Sequence, residues 1–180
     1  MKNEEVRERV RALLDHGVAR SEVFSNLTAQ GACEKDVASG IASHLDAATV
    51  QRYRAKVRLL VGLMIVLAAI GFVLGYLIGE QIGGIVGVGL GIVMAGIALL
   101  FAWGFVVGGV AVYNGFIWLS LSQAPVLLMD LFSHPGPGIV AASAVGGGML
   151  AYVWHVRECL FPDFGLLGPK KADGRYVFQA

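Results

Sequence analysis

The chain is 180 residues long, 56 % apolar and 15 % charged, with 14 Lys and Arg against 13 Asp and Glu. Soluble domains average about 45–50 % apolar and about 25 % charged, so an ordinary soluble globular domain is excluded, and a net charge of +1 argues against bulk attraction to nucleic acid. Cys33 and Cys159 show no CxxC or Cys/His spacing, so neither a disulfide framework nor a metal site is expected, and no cofactor is implied.

Residues 1–48 are polar and carry a repeat. Leu13, Leu27 and Ile41 are spaced by fourteen residues, as are Gly17 and Gly31, Glu22 and Asp36, and Val23 and Val37. Each unit reads as a helix of two to three turns ended by a C-terminal glycine, which can take the left-handed conformation of a helix stop. Asn3 is the expected cap of the first helix, with Glu4 and Glu5 in the turn where the helix dipole favours acids, and Ser21 the expected cap of the second. Val6, Val10, Leu13, Leu14, Val23, Phe24, Leu27, Val37, Ile41 and Leu45 fall at helical spacing and predict one small core. A helix-turn-helix DNA reader shares this outline, but residues 1–50 hold six Lys or Arg against eight Asp or Glu, and phosphate binding needs a basic face. A small three-helix cytoplasmic module that binds a protein partner is the expectation, with no nucleic acid.

Residues 49–58 form a basic juxtamembrane linker with Arg52, Arg54, Lys56 and Arg58. From Leu59 to Val156 there is no Lys or Arg, and the only acids are Glu80 and Asp130. A bilayer core about 30 Å thick needs about 20 apolar residues per crossing, so 59–156 is predicted to form four transmembrane helices, near 59–79, 83–103, 104–122 and 138–156. The first apolar run begins too late for a signal peptide, so the first crossing is expected to direct insertion. Asn114 and Gly115 offer an alternative turn between the second and third crossings. Pro125 disfavours continued helix, which makes Val126 to Phe132 a short interfacial segment, and His134 to Pro137 the next loop. Tyr53, Trp103, Tyr152 and Trp154 fall near predicted interfaces, where amphipathic aromatics anchor a span. Arg157, Lys170, Lys171 and Arg175 follow the last crossing in a tail, 157–180. Lys and Arg stay cytoplasmic, so an even number of crossings places both termini in the cytoplasm of a multi-pass protein of a bacterial inner membrane.

Gly71, Gly75, Gly79, Gly83, Gly87 and Gly91 recur at every fourth residue. Small residues four apart share a helix face, and in lipid such faces let two backbones approach closely. A turn at Glu80 to Ile82 would set Gly79 opposite Gly83, Gly75 opposite Gly87 and Gly71 opposite Gly91, symmetric about Gln81. Outward-facing glycines that mediate homo-oligomerisation, around a pore for instance, are the alternative. The stretch GFVLGYLIGEQIGG resembles the glycine-zipper hairpins of some bacterial envelope proteins, over about twenty residues, and the resemblance implies close helix packing rather than an activity.

Ionisable residues within spans are functional candidates by default. Glu80 falls at a turn that water reaches. Asp130 and His134, four apart, could share a proton or weakly bind a metal, but two ligands do not make a site. His155 falls near the cytoplasmic end of the fourth crossing, while Asn114, Ser120, Ser122, Gln123 and Ser143 would seek partners on neighbouring helices. No GxSxG elbow, HExxH pair or paired-acid spacing occurs, so an enzyme is not expected. The leading expectation is an all-α polytopic membrane protein with a cytoplasmic protein-interaction module. An oligomeric channel or small transporter subunit, and a membrane immunity or exclusion protein, are the alternatives.

Overall fold

A computed structural model of the chain describes residues 3–134, 136–172 and 175–178; the side chains at 3, 47, 172 and 175 lie outside this description, as does Pro135. The cap expected of the Asn3 side chain and the loop role of Pro135 therefore fall outside the described residues. The described residues form seven helices: α1 (Asn3–Asp15), α2 (Arg20–Ala29), α3 (Glu34–Ser43), α4 (Ala47–Glu80), α5 (Gly84–Val107), α6 (Val110–Ser133) and α7 (Pro137–Leu160). A two-stranded antiparallel hairpin, β1 (Lys171–Ala172) and β2 (Arg175–Tyr176), follows. The chain divides into two units, Met1–Arg52 with Arg157–Ala180, and Tyr53–Val156.

In the first unit, the fourteen-residue repeat has a direct local cause. Gly17 and Gly31 have φ of 78° and 83°, the left-handed region where any other side chain is strained. After Gly17, Val18 N–H donates to Leu13 C=O at 3.2 Å and Gly17 N–H to Leu14 C=O at 2.9 Å. After Gly31, Ala32 N–H donates to Leu27 C=O at 3.1 Å and Gly31 N–H to Thr28 C=O at 3.0 Å. These paired bonds satisfy the last carbonyls of α1 and α2 and reverse the chain. The expected cap at Ser21 is not formed. The turn delivers the chain into α2 earlier, so Ala19 is the cap residue, its carbonyl accepting from Glu22 and Val23 N–H at 2.9 Å, and Ser21 sits inside the helix.

Val6, Val10, Val23, Leu27, Val37 and Ile41 are all at most 1 % exposed and form one cluster, ringed by Leu13, Leu14, Val18, Phe24 and Phe178. Phe178 belongs to the segment expected to be a tail. Phe24 meets both Tyr176 and Phe178, at ring-centroid distances of 5.8 and 5.5 Å, so residues from the C-terminal end complete the apolar surface of α2.

The four remaining helices are each long and apolar enough to cross a membrane. Twenty-four residues, the length of α5, α6 and α7, span about 36 Å at about 1.5 Å per residue. Several boundaries differ from the sequence reading. The basic stretch 49–58 is helical and continuous with the first apolar run, because none of its residues interrupts a helix. The break between the second and third long helices falls at Gly108 and Gly109, not at 103/104 or Asn114–Gly115; Gly108 takes the left-handed φ of 77° that ends α5. Pro125 does not end α6, which continues to Ser133. In hydrocarbon, backbone groups have no water to bond, so losing one hydrogen bond at proline is less costly than unwinding the apolar turns beyond it. Pro137 opens α7, where its missing N–H is no loss.

Candidate functional site

The glycine face is where α4 meets α5. A Cβ placed on Gly79 would lie 2.6 Å from Gly87 Cα, and one on Gly75 would lie 2.8 Å from Gly91 Cα. Conversely, a Cβ on Gly87 would lie 2.8 Å from Tyr76 O, and one on Gly91 2.8 Å from Phe72 O. These distances leave no room for any side chain on four of the six glycines. The register differs from symmetry about Gln81: both contacting pairs are equidistant from Gly83. α4 keeps Glu80, the turn runs from Gln81 to Gly83, and Ile82 and Gly83 N–H both donate to Gly79 C=O at 3.0 Å. Gly83 is thereby the cap residue of α5 rather than a rung, and a methyl group there would meet nothing within 4 Å. Gly71 faces Met94 at 3.6 Å, an ordinary contact, so the pair loosens away from the turn.

The next contact is α5 with α6. A Cβ on Gly104 would lie 2.6 Å from Val112 Cγ1, and this approach brings Phe101, Phe105, Tyr113 and Phe116 into one aromatic cluster with centroids 4.7 to 6.2 Å apart. Lys56 on α4 reaches α7: its ammonium lies 2.8 Å from His155 Nε2 and 5.0 Å over the Tyr53 ring, while Tyr152 Oη donates to Lys56 C=O at 3.2 Å. Sequence reading missed this cluster, because Lys56 and His155 are 99 residues apart and neither has a distinctive local pattern.

Glu80, Asp130 and His134 are all exposed. Glu80 is the last residue of α4; Asp130 and His134 are joined by a backbone bond from His134 N–H to Asp130 C=O at 2.9 Å. Among the described residues, no group of three or more His, Cys, Asp and Glu is placed to hold a metal ion.

The densest polar chemistry lies in the unit formed by the chain ends. Arg20, at the first position of α2, donates through Nη1 to Asp163 Oδ2 at 2.6 Å and through Nη2 to Asp46 Oδ2 at 2.8 Å. Asp163 is 2 % exposed, so the guanidinium meets a buried carboxylate. His44 Nε2 continues the chain of polar groups, 3.5 Å from Asp46 Oδ1 and 3.6 Å from Asp15 Oδ1. Beyond Asp163, Arg157 Nη2 donates to Phe164 C=O at 2.6 Å and Lys170 N–H donates to Asp163 C=O at 2.9 Å. One fork-shaped cation thus fastens the C-terminal segment to the end of α3. An open cleft of about 560 Å³ nearby is lined by Lys35, Lys170, Lys171, Tyr176 and the loop Gly165–Pro169. The arrangement holds surfaces together and presents charge. Comparison of the chain with protein-family models, with curated proteins and with solved structures gave no match.

Proposed function

We propose that the chain is a non-enzymatic multi-pass protein of a bacterial inner membrane, with both termini cytoplasmic, whose unit of joined chain ends recruits a protein partner. The observation that carries this reading is the joining itself. Arg20 and Asp163 are 143 residues apart with four candidate spans between them, yet form a 2.6 Å ion pair, and Phe178 packs on the core of α1 to α3. Two chain ends folded into one unit must lie on the same side of the bilayer, which an even number of crossings provides. Arg52, Arg54, Lys56 and Arg58 before the first apolar run, and Arg157 after the last, favour the cytoplasm for that side. Having its own core, the unit is suited to binding protein rather than merely anchoring the chain.

The pore alternative is weakened by the use of Gly75, Gly79, Gly87 and Gly91 within one chain. Topology reporters test the reading first. Fluorescent-protein fusions at both termini should be active, and cysteines placed at residue 82 should react with an impermeant thiol reagent added outside intact cells. Reporters of opposite sign at the two ends would refute it. For the partner, a photo-crosslinker at exposed Glu8 or Glu22 should give one discrete protein adduct in cells, and the absence of any adduct would remove the recruitment role.

A further inference from the structure

α6 differs from the other long helices. Only 6 % of its most apolar window is buried, against 17 % in each of the other three. Its mean hydropathy is also the lowest, 1.4 compared with 1.5 to 2.7. From the middle of the helix onward, one stripe collects most of its polar side chains. Ser120, Gln123, Leu127 and Asp130 follow one another at spacings of three, four and three residues, and His134 stands four further on at the cap. That average of about 3.5 residues is the spacing of a seam between two helices crossing at about 20°. Gln123, Asp130 and His134 are exposed, and Ser120 and Leu127 are half-buried. Ser122 lies off the seam and spends its hydroxyl on its own helix, donating to Leu119 C=O at 2.7 Å.

Gln123 is the group that needs a partner. It is one to two residues past the centre of Val110–Ser133, within about 3 Å of the midpoint at about 1.5 Å per residue. At that depth a side chain as short as glutamine cannot reach water, and an amide left unbonded in hydrocarbon is costly. Its side chain makes no hydrogen bond among the described residues. The glycine faces are not available to supply one, because they are closed against each other within the chain.

We propose that α6 docks against α6 of a second copy of this chain along the seam Ser120–Gln123–Leu127–Asp130, forming a parallel two-fold dimer inside the bilayer. The choice of a second copy rests on self-complementarity. Every copy inserts in the same orientation, and a two-fold axis along the membrane normal brings each residue opposite its own counterpart at equal depth. A primary amide carries both donor and acceptor, so Gln123 meets its own complement there. Ser120, one turn away, does the same with a hydroxyl. Towards the helix end the same symmetry sets Asp130 opposite Asp130 and His134 opposite His134 of the second copy, the imidazoles one turn beyond the carboxylates at the helix cap. Leu127 fills the apolar position between them. The inference rests on the reading that α6 spans a bilayer.

The test uses the full-length chain, labelled at its N-terminus with donor or acceptor dye and reconstituted into phosphatidylcholine–phosphatidylglycerol liposomes over a dilution series. Energy transfer above that of a non-interacting membrane control is expected. Gln123→Leu should weaken pairing about 5- to 30-fold, the range for a single interhelical polar contact in model spans, and Gln123→Asn should recover most of it. In a Cys33→Ser, Cys159→Ser chain, Leu127→Cys should form an intermolecular disulfide, whereas Met129→Cys, on the opposite side of α6 and 72 % exposed, should not. Carbonate extraction of the same liposomes separates the two levels of failure. A chain that is washed out overturns the spanning reading. A chain that stays in the bilayer but shows no pairing, pairs equally well as Gln123→Leu, or cross-links through Met129→Cys instead overturns the α6 dimer alone.

Discussion

Alanine substitution along the glycine ladder distinguishes the observed register from its nearest alternative. A methyl at Gly79 would stand 2.6 Å from Gly87 Cα, and one at Gly75 would stand 2.8 Å from Gly91 Cα. Carbon contacts settle at about 3.5–4.0 Å, so each methyl demands a local opening of about 1 Å. The atoms it meets are backbone and cannot rotate aside, which puts the overpacking cost near the upper part of the range of about 1–3 kcal/mol. Alanine recovers about 1 kcal/mol of helix propensity over glycine. The net loss expected for Gly75→Ala, Gly79→Ala, Gly87→Ala and Gly91→Ala is therefore about 1–2 kcal/mol each. Gly83→Ala, at the cap, meets nothing within 4 Å and should stay within about 0.5 kcal/mol of the parent, whereas Gly71→Ala, inside α4, meets Met94 at an ordinary 3.6 Å and should keep most of the propensity gain of about 1 kcal/mol. Unfolding titrations in mixed micelles, followed by far-UV circular dichroism, supply the six values. Symmetry about Gln81 makes Gly71 and Gly83 as sensitive as the other four. Equal losses at Gly83 and Gly79 would refute the register centred on Gly83.

Three further outcomes follow from local geometry. Arg20→Met removes the guanidinium that faces the buried Asp163 carboxylate; a fully buried broken pair costs about 3–5 kcal/mol, and the partial exposure of Arg20 lowers the expectation to about 2 kcal/mol. Amide hydrogen exchange in α1–α3 should accelerate accordingly, and adding Asp163→Leu should restore most of the protection; unchanged exchange in the single variant would contradict the fastening role. Gly17→Ala and Gly31→Ala, which force a methyl into left-handed backbone, should each lose about 1–2 kcal/mol, read as lowered thermal midpoints. Gly104→Ala drives a methyl to 2.6 Å from Val112 Cγ1 and should destabilise, whereas combining it with Val112→Ala should relieve the clash, and strict additivity in that double-mutant cycle would argue against the α5–α6 contact.

Long features with a single physical cause were readable without coordinates. The four apolar helices follow from run length and the exclusion of charge, since a hydrocarbon slab sets the required length. Gly17 and Gly31 stand out because a left-handed residue after a helix is a local demand met by one residue type. Boundaries inside the apolar region were not readable in the same way. A helix facing lipid on most sides shows little contrast between faces, so Gly108–Gly109 carried no stronger signal than Asn114–Gly115 or Pro125. The capping preference of Ser21 was real but was overridden by the turn that precedes it.

What sequence alone determined is the set of local and compositional constraints: which stretches are apolar enough to span, where two helices must stop, and which face of α4 and α5 is free of side chains. Tertiary structure decided everything that depends on which distant residues meet. The ladder's spacing is compatible with several registers, and only the packing of two backbones through Gly75–Gly91 and Gly79–Gly87 selects one. Arg20, Asp46 and Asp163 look like unrelated surface charges until the chain ends fold together, because an ion pair across 143 residues leaves no periodic trace in the chain. Local rules act through neighbours a few residues apart, whereas the closure of the ends arises from burial, which exists only once the helices are assembled.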